Sequence, residues 1–172
     1  KSLVGTPLKI SSFNEYTNLF GNEGLAPKFS VAKTDKGEWD IDFIDKTKAF
    51  MFPSIKLFFS NGGNNCYIVS VGTYGETQDE NGNTTPQEFN LDKAEILKGL
   101  ESLKKELEPT IIIIPDAVLL GDECYDVYKT TLKHCGDMQN RVAILDVYNG
   151  YDKLGGKGDD DVVTNFRSKT GS

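Results

Sequence analysis

Residues 110–116 of the chain read Thr110-Ile111-Ile112-Ile113-Ile114-Pro115-Asp116. An uninterrupted run of β-branched residues is typical of a central strand that is covered on both faces. Proline cannot continue the hydrogen-bonding ladder of such a strand, so the strand is expected to stop at Pro115. We therefore predict a buried strand at 110–114 in the middle of a sheet.

Helices are predicted both before and after this strand in the sequence. The first begins at a capping residue, Asn90 or Asp92. Its apolar stripe is Ile96, Leu100, Leu103 and Leu107. A second helix is predicted from about Asp122 to Cys135, ended by Gly136, and a further strand from Val142 to Leu145. A last helix, capped by Asp159, is predicted to run through Arg167.

This alternation of strands and helices predicts parallel pairing with right-handed crossovers. The predicted fold is α/β: a three-layer domain with a mostly parallel or mixed central sheet and helices on both faces. We expect a single domain over residues 1–172. Two insertions are predicted, a β-hairpin at about 25–48 and a mobile loop at 73–89.

The first half of the chain contains the other predicted elements. A strand at 7–10 precedes a helix that is opened by the capping box Ser12-x-x-Glu15 and ended by Gly21. The hairpin is predicted from Phe29 to Ile44, because apolar residues alternate there around the turn Asp35-Lys36-Gly37.

Pro53 is placed in the first turn of a further helix, which Asn61-Gly62-Gly63 ends. A buried strand from Cys66 to Val71 follows directly. The segment from Thr73 to Phe89 is polar and without periodicity, which predicts an exposed, mobile loop.

Composition excludes several classes of protein. The 172 residues carry a net charge of −7, which argues against a nucleic-acid partner, because phosphates are neutralised by clustered Lys and Arg. No stretch approaches the roughly 20 apolar residues of a membrane helix, so no membrane partner is expected. The start at Lys1 has no signal-peptide pattern, which indicates either processing or a piece of a longer protein.

The three cysteines, Cys66, Cys124 and Cys135, form no CxxC motif. Neither a disulfide framework nor a zinc site is therefore predicted, and a reducing compartment fits best. We expect these cysteines to act as small buried hydrophobic residues.

The strongest catalytic candidates are Asp116 and Asp146, which each follow an apolar strand. Ligands of open α/β sheets bind at the carboxyl ends of strands, and two carboxylates there would suit Mg²⁺. The alternative is that both side chains accept hydrogen bonds from turn amides. A magnesium-dependent phosphotransfer or hydrolase domain is thus one functional alternative, and a small ligand-binding domain is another.

Other polar motifs have ordinary structural explanations. The run Asp79-x-Asn81-x-Asn83 begins like a calcium loop but lacks its glycine and its final glutamate. The acidic run 159–161 suits a helix N-terminus, and His134 suits a cation at a helix C-terminus. The glycines of 155–158 do not follow a strand directly, which weakens a nucleotide-binding interpretation. No catalytic, cofactor or metal residue is therefore assigned.

One long stretch resembles contractile tail sheath proteins of phages and phage-like injection systems, which contain a helix, an Asn-Gly-Gly turn and a Cys-Tyr-containing strand. That stretch is Phe52-Pro53-Ser54-Ile55-Lys56-Leu57-Phe58-Phe59-Ser60-Asn61-Gly62-Gly63-Asn64-Asn65-Cys66-Tyr67-Ile68-Val69-Ser70-Val71. Three shorter stretches resemble further elements of the family in the same order. They are Ile10-Ser11-Ser12-Phe13-Asn14-Glu15-Tyr16 with Leu19-Phe20-Gly21, Ile113-Ile114-Pro115-Asp116-Ala117, and Arg141-Val142-Ala143-Ile144-Leu145-Asp146-Val147.

The resemblance implies a structural protein rather than an enzyme, without cofactors. Its expected partners are neighbouring sheath subunits, an inner tail tube and a baseplate, in hexameric rings that contract on triggering. It implies assembly in the bacterial cytoplasm and a final place in a virion tail or injection particle. Family members carry an N-terminal extension and a C-terminal domain that this chain lacks, so we expect a monomer or a weak oligomer.

Overall fold

The computed structural model describes residues 2–22, 28–43, 49–73, 76–78, 81, 84–86, 91–151 and 161–171. The chain is a mixed helix-and-strand protein with small sheets, which confirms the α/β class in general terms. In chain order the elements are β1 (Leu8–Ile10), α1 (Phe13–Phe20), β2 (Phe29–Lys33), β3 (Trp39–Phe43), α2 (Met51–Ser60), β4 (Cys66–Ile68), β5 (Glu76–Gln78), β6 (Thr84–Pro86), α3 (Lys93–Ser102), a 3-10 helix (Leu103–Lys105), β7 (Ile111–Ile113), a second 3-10 helix (Pro115–Glu123), α4 (Cys124–Met138), β8 (Val142–Ile144) and α5 (Val162–Thr170).

The chain divides into two compact units. The first unit comprises Lys1–Ser11, Asn64–Gly72 and Leu91–Ser172, and the second comprises Ser12–Gly63 and Thr73–Asn90. That all 172 residues form one domain stays a prediction. No helix within the described ranges is long and apolar enough to cross a lipid bilayer.

Two strand pairs belong to the first unit. Strands β1 and β4 pair antiparallel, whereas β7 and β8 pair parallel with Ile111 opposite Val142 and Ile113 opposite Ile144. Outside the strands, Glu108 accepts hydrogen bonds from the Lys9 ammonium (2.5 Å) and the Tyr67 hydroxyl (3.1 Å). This carboxylate therefore links β1 and β4 to the segment that leads into β7.

Four helices build the core of the first unit. The second 3-10 helix and α3 both pack against α4, and α5 packs against α4 as well. The buried cluster consists of Ile96, Ala117, Cys124, Tyr125, Val127 and Tyr128. The Phe166 ring of α5 lies against it, with centroids 6.3 Å from Tyr125 and 6.1 Å from Tyr128. Aromatic pairs at this separation add to the free energy of burial.

The helix boundaries differ from the predicted ones in three places. Gly136 does not end α4, which continues to Met138 and stops at Gln139 in a left-handed conformation with φ 56°. A glycine costs a helix only about 1 kcal/mol relative to alanine, so buried side chains before it outweigh that cost. Helix α5 is capped by Asp161 rather than Asp159, and α3 ends before Leu107, which is 73% exposed.

Strand β7 is covered on one face, which contradicts the prediction of a strand buried on both faces. Ile112 is 5% exposed, but Ile111 and Ile113 are 53% and 57% exposed. Among the described residues, α4 supplies the packing for one side of the β7–β8 pair, and the other side remains open. A run of isoleucines shows only that both faces of the strand are apolar. Whether both faces are buried depends on whether a second layer of structure covers the outer one.

Helices α1 and α2 form an aromatic cluster in the second unit. Ser12 caps α1, as predicted, by accepting a hydrogen bond from the Glu15 amide at 3.1 Å. The Phe52 ring of α2 lies 5.6 Å from Phe13 and 6.1 Å from Tyr16, measured between centroids. Gly62, with φ 83°, follows the end of α2 as the sequence predicts. None of the ten residues of α2 is fully buried, although six of them are large and apolar.

Strands β2 and β3 pair antiparallel across a turn at 34–38. The Thr34 amide donates to the Glu38 carbonyl, and the Gly37 amide donates to the Thr34 carbonyl, both at 2.8 Å. Gly37 has φ 80°, a conformation that glycine adopts at low cost. The turn coincides with the predicted Asp35-Lys36-Gly37 segment.

The segment 73–89, predicted as an irregular loop, contains a second antiparallel pair. Strand β5 pairs with β6 through the register Glu76 opposite Pro86, Thr77 opposite Thr85 and Gln78 opposite Thr84. Threonine favours extended backbone without requiring an apolar face, so the absence of hydrophobic alternation concealed these strands.

Candidate functional site

The two aspartates of the magnesium hypothesis lie on different elements of the first unit. Asp116 is in the first turn of the Pro115–Glu123 helix, and Asp146 follows β8 by two residues. In the described part of the chain, no group of three or more His, Cys, Asp or Glu residues is placed to hold a metal ion. Asp146 interacts electrostatically with Tyr128. Burial raises the pKa of the Tyr128 hydroxyl, and the negative charge of Asp146 raises it further.

The remaining polar candidates fall at helix ends or outside the described residues. Asp161 caps α5, because its carboxylate accepts hydrogen bonds from the Thr164 amide (3.1 Å) and hydroxyl (2.6 Å). This bonding lowers the pKa of Asp161. Asn81 is exposed, whereas Asp79 and Asn83 of the calcium-like run lie outside the described residues, as does the segment 155–158.

The three cysteines have the character of buried, protonated thiols. Cys124 is fully buried and Cys66 and Cys135 are partly buried, all as free thiols. Burial raises the pKa of Cys124 to about 11 and also raises the pKa of Cys66 and Cys135. A thiol becomes a nucleophile only as the thiolate, so these positions are unsuited to covalent catalysis at neutral pH.

His134 is not the helix-terminal cation that the sequence suggests. It is 3% exposed, and the Arg141 guanidinium lies 3.3 Å from its Nε2 atom. Burial lowers the pKa of His134, and the positive charges of Arg141 and Lys104 lower it further. Because an arginine nitrogen only donates, Nε2 accepts and the proton lies on Nδ1, which is buried without a partner among the described residues.

Arg141 anchors the start of β8 to the end of the α3 region. It is 5% exposed and donates to the carbonyls of Leu103 (3.2 Å) and Glu106 (2.5 Å) and to the Asn140 side chain (2.8 Å). Carbonyls at a helix C-terminus carry partial negative charge, which compensates a buried cation. This network positions the edge of the β7–β8 pair and therefore has a structural role.

The most conspicuous feature of the first unit is the exposed side of β7 and β8. We call this surface the β7–β8 face. It consists of Ile111, Ile113, Val142 and Ile144, which are 53%, 57%, 62% and 56% exposed. Together they present ~400 Å² of contiguous apolar surface, within the range of the largest patch on a typical monomer. The largest apolar patch of a monomer is often functional, which makes this face a candidate interaction surface.

The second unit carries a comparable surface on the β2–β3 hairpin. We call it the hairpin face. Its apolar residues are Phe29, Val31, Trp39 and Ile41, which are 49%, 59%, 68% and 60% exposed. Lys33 lies on the same side, opposite Trp39, at the edge of this face. The opposite side of the hairpin carries Ser30, Ala32, Asp40 and Asp42, so the ribbon is strongly amphipathic. An isolated two-stranded ribbon is only marginally stable in water, which favours a packing partner for the apolar side.

Sequence reasoning missed both faces as sites, although it located their strands. The signal available was parity: Phe29, Val31, Trp39 and Ile41 share one side, whereas Asp40 and Asp42 occupy the other. Parity identifies an apolar side, but whether this side is covered depends on the rest of the fold. The lone tryptophan on a polar-backed hairpin is the clearest hint of an interface, where this residue type is enriched.

No protein-family model matches the sequence, and no curated protein shows significant similarity to it.

Proposed function

We propose that this chain is a structural subunit of a contractile tail sheath, from a phage or a phage-like injection system. In this role it polymerises as stacked hexameric rings around an inner tube and contracts to drive the tube through a target envelope. The observation that supports the proposal best is the presence of two exposed apolar strand faces. Surfaces of this kind suit a protein that functions by association with copies of itself.

The stretches that resemble sheath proteins lie at well-defined positions of the structure. Ser12 caps α1, Gly62 and Gly63 follow α2, and Arg141 anchors β8. A Cβ atom at Gly63 would lie 2.5 Å from the Phe58 ring, so glycine fits the close approach of the turn to the helix. The resembling residues thus form a helix cap, a tight turn and a strand anchor in this chain, and these are the local features that the sheath proposal expects to be shared.

The three-layer arrangement belongs to this proposal. In our interpretation, helices cover one side of the β7–β8 pair within the chain, and the second layer arrives on assembly. The β2–β3 hairpin and the 73–89 segment are then two insertions into the sheath domain.

The proposal includes the partners and the location. The subunit binds neighbouring sheath subunits, the inner tube protein and a baseplate, and neither nucleic acid nor membrane is a partner. It has no enzymatic activity and needs no cofactor. It assembles in the bacterial cytoplasm and ends in a virion tail or an injection particle.

Immunogold electron microscopy tests the proposal directly. Antibodies raised against this chain are applied to particles from lysates of the cells that encode it. We expect label along the whole length of rod-shaped particles, because a sheath covers the tube from end to end. Label confined to one tip, or remaining in the particle-free fraction, would contradict a sheath.

The magnesium alternative is tested separately by calorimetry. Titration of Mg²⁺ into the chain should give no saturable heat if Asp116 and Asp146 are structural. Saturable binding that disappears in both Asp116→Asn and Asp146→Asn would favour the phosphotransfer or hydrolase alternative over the sheath.

A further inference from the structure

We propose that the hairpin face of one copy packs onto the β7–β8 face of a second copy, so that the chain associates head to tail. This inference rests on the proposed function, because it identifies the partner as another sheath subunit and assigns the two surfaces that meet. Neither surface was assigned a role by the sequence.

The two faces match in architecture. Each is two strands wide and is formed by paired residues whose side chains project from the same side, such as Val31 opposite Ile41 and Ile113 opposite Ile144. Two sheets pack face to face at ~10 Å when their apolar side chains interdigitate. The hairpin face supplies large aromatic side chains and the β7–β8 face supplies only branched aliphatic ones, a combination of large and small residues that packs well.

The area supports association with a second copy at modest affinity. The hairpin face exposes ~500 Å² of apolar side chain and the β7–β8 face ~400 Å². Burying both would remove ~900 Å² from water, and contacts at the rim would bring the total near the ~1,000 Å² that marks the lower limit of a specific interface. We therefore expect a dissociation constant on the order of micromolar or weaker.

A head-to-tail contact accounts for both surfaces at once. If either face packed against its own copy across a two-fold axis, a closed dimer would form and the other face would stay exposed. Pairing the two different faces leaves one free face at each end of every open oligomer. Such an interface propagates into rings or filaments, which is the geometry that a repeating assembly needs.

Three lysine variants test the contact by analytical ultracentrifugation. Ile41→Lys places a charge on the hairpin face, and Ile113→Lys places one on the β7–β8 face. Ser30→Lys is the matched control, because it adds the same side chain on the opposite side of the hairpin, across from Asp42. We expect wild type and Ser30→Lys to associate with rising concentration, and each face variant to associate at least tenfold more weakly.

Mixing the two face variants gives the decisive result. Only the β7–β8 face of Ile41→Lys and the hairpin face of Ile113→Lys remain intact, so a 1:1 mixture should form a two-chain complex and nothing longer. A mixture without complex would overturn the proposal. So would one face variant that self-associates like wild type, or a wild type that stays monomeric at every soluble concentration.

One further measurement and two replacement variants keep the test interpretable. Circular dichroism establishes that each variant is folded, and Ile41→Thr and Ile113→Thr replace the lysine variants if either one is not. Failure of the interface and failure of the sheath proposal can be distinguished. If the face variants weaken association but the antibodies label no rod-shaped particles, the interface stands and the sheath proposal fails. Labelled particles with unaffected association of both variants leave the sheath but remove this interface.

Discussion

The β7–β8 pair and the β2–β3 hairpin expose similar apolar faces but differ in what lies behind them. Ile112 on the inner side of β7 is 5% exposed, and α4 packs against β8. The hairpin has all five residues of β2 exposed, including Ser30 and Ala32 on its polar side. The comparison teaches that one face is the outer surface of a packed core, whereas the other lies on a ribbon whose described hydrogen bonds are those of its ladder and its turn.

The largest effect should separate two neighbouring residues of β7. Ile112→Ala removes a buried side chain, and we expect it to lower the free energy of unfolding by about 2–5 kcal/mol. Ile113→Ala, on the exposed side of the same strand, should cost less than about 1 kcal/mol. Urea denaturation of both variants measures the difference, and equal losses would contradict a one-sided strand.

A substitution of Arg141 tests how much its hydrogen bonds, which anchor the start of β8, stabilise the fold. Arg141→Met keeps much of the side-chain volume but leaves the carbonyls of Leu103 and Glu106 without their donor. We expect a loss of about 2–3 kcal/mol in the free energy of unfolding. The control Arg167→Met changes an exposed arginine on α5 and should cost about 0.5 kcal/mol or less. A loss in the control as large as that in Arg141→Met would remove the special role of Arg141.

The pH dependence of stability should come from the same anchor. The pKa of His134 is lowered in the folded protein, so the unfolded chain binds the proton more readily, and stability falls as pH drops below about 6.5. The slope approaches about 1.4 kcal/mol per pH unit for one proton. His134 is the only histidine, so His134→Gln should flatten urea midpoints between pH 5 and 7.

The carboxylate of Glu108 affects stability in a different pH range and so provides an internal comparison for the His134 experiment. Hydrogen bonds from Lys9 and Tyr67 lower the pKa of Glu108, which therefore contributes stability above the pKa of an unfolded glutamate. This contribution is lost only as pH falls below about 4.3. A wild-type profile that is flat above pH 5 would contradict the assignment of the His134 environment.

The smallest effect on stability is expected on the hairpin. Trp39 is 68% exposed and carries the Lys33 ammonium 5.7 Å from its ring centroid. In dilute solution, Trp39→Ala should change the free energy of unfolding by about 1 kcal/mol or less. Thermal melts at low concentration measure this, and a loss as large as that of Ile112→Ala would show that the hairpin face is already part of a core.

Local signals in the sequence predicted the ends of several elements. The capping serine at Ser12, the proline in the first turn of α2 and the glycine after α2 all act as short-range physics requires. The general α/β class followed from alternating apolar patterns. These features depend on a few adjacent residues, which is why they can be read directly.

What could not be predicted depends on distant residues. The isoleucines of β7 are equally apolar on both sides, and only the packed structure shows which side is open. His134 stands where a helix-terminal cation would suit, but burial in the packed structure and then the charge of Arg141 make the neutral form favourable. The candidate site is therefore a property of packing, which residue types alone do not reveal.

Tryptophan fluorescence measures the central claim most directly, because Trp39 is the only tryptophan and lies on the hairpin face. Its indole is largely exposed in the single chain, so emission should lie at long wavelength in dilute solution. We expect a shift to shorter wavelength as concentration rises and the ring is buried by the β7–β8 face of another copy. In a control, the wild type carries a tryptophan analogue with distinct emission, so that its ring alone is followed. Unlabelled Ile113→Lys, whose β7–β8 face is disrupted, is added to this dilute wild type and should not produce the shift. A wild type that associates while its Trp39 emission stays unchanged would contradict the account.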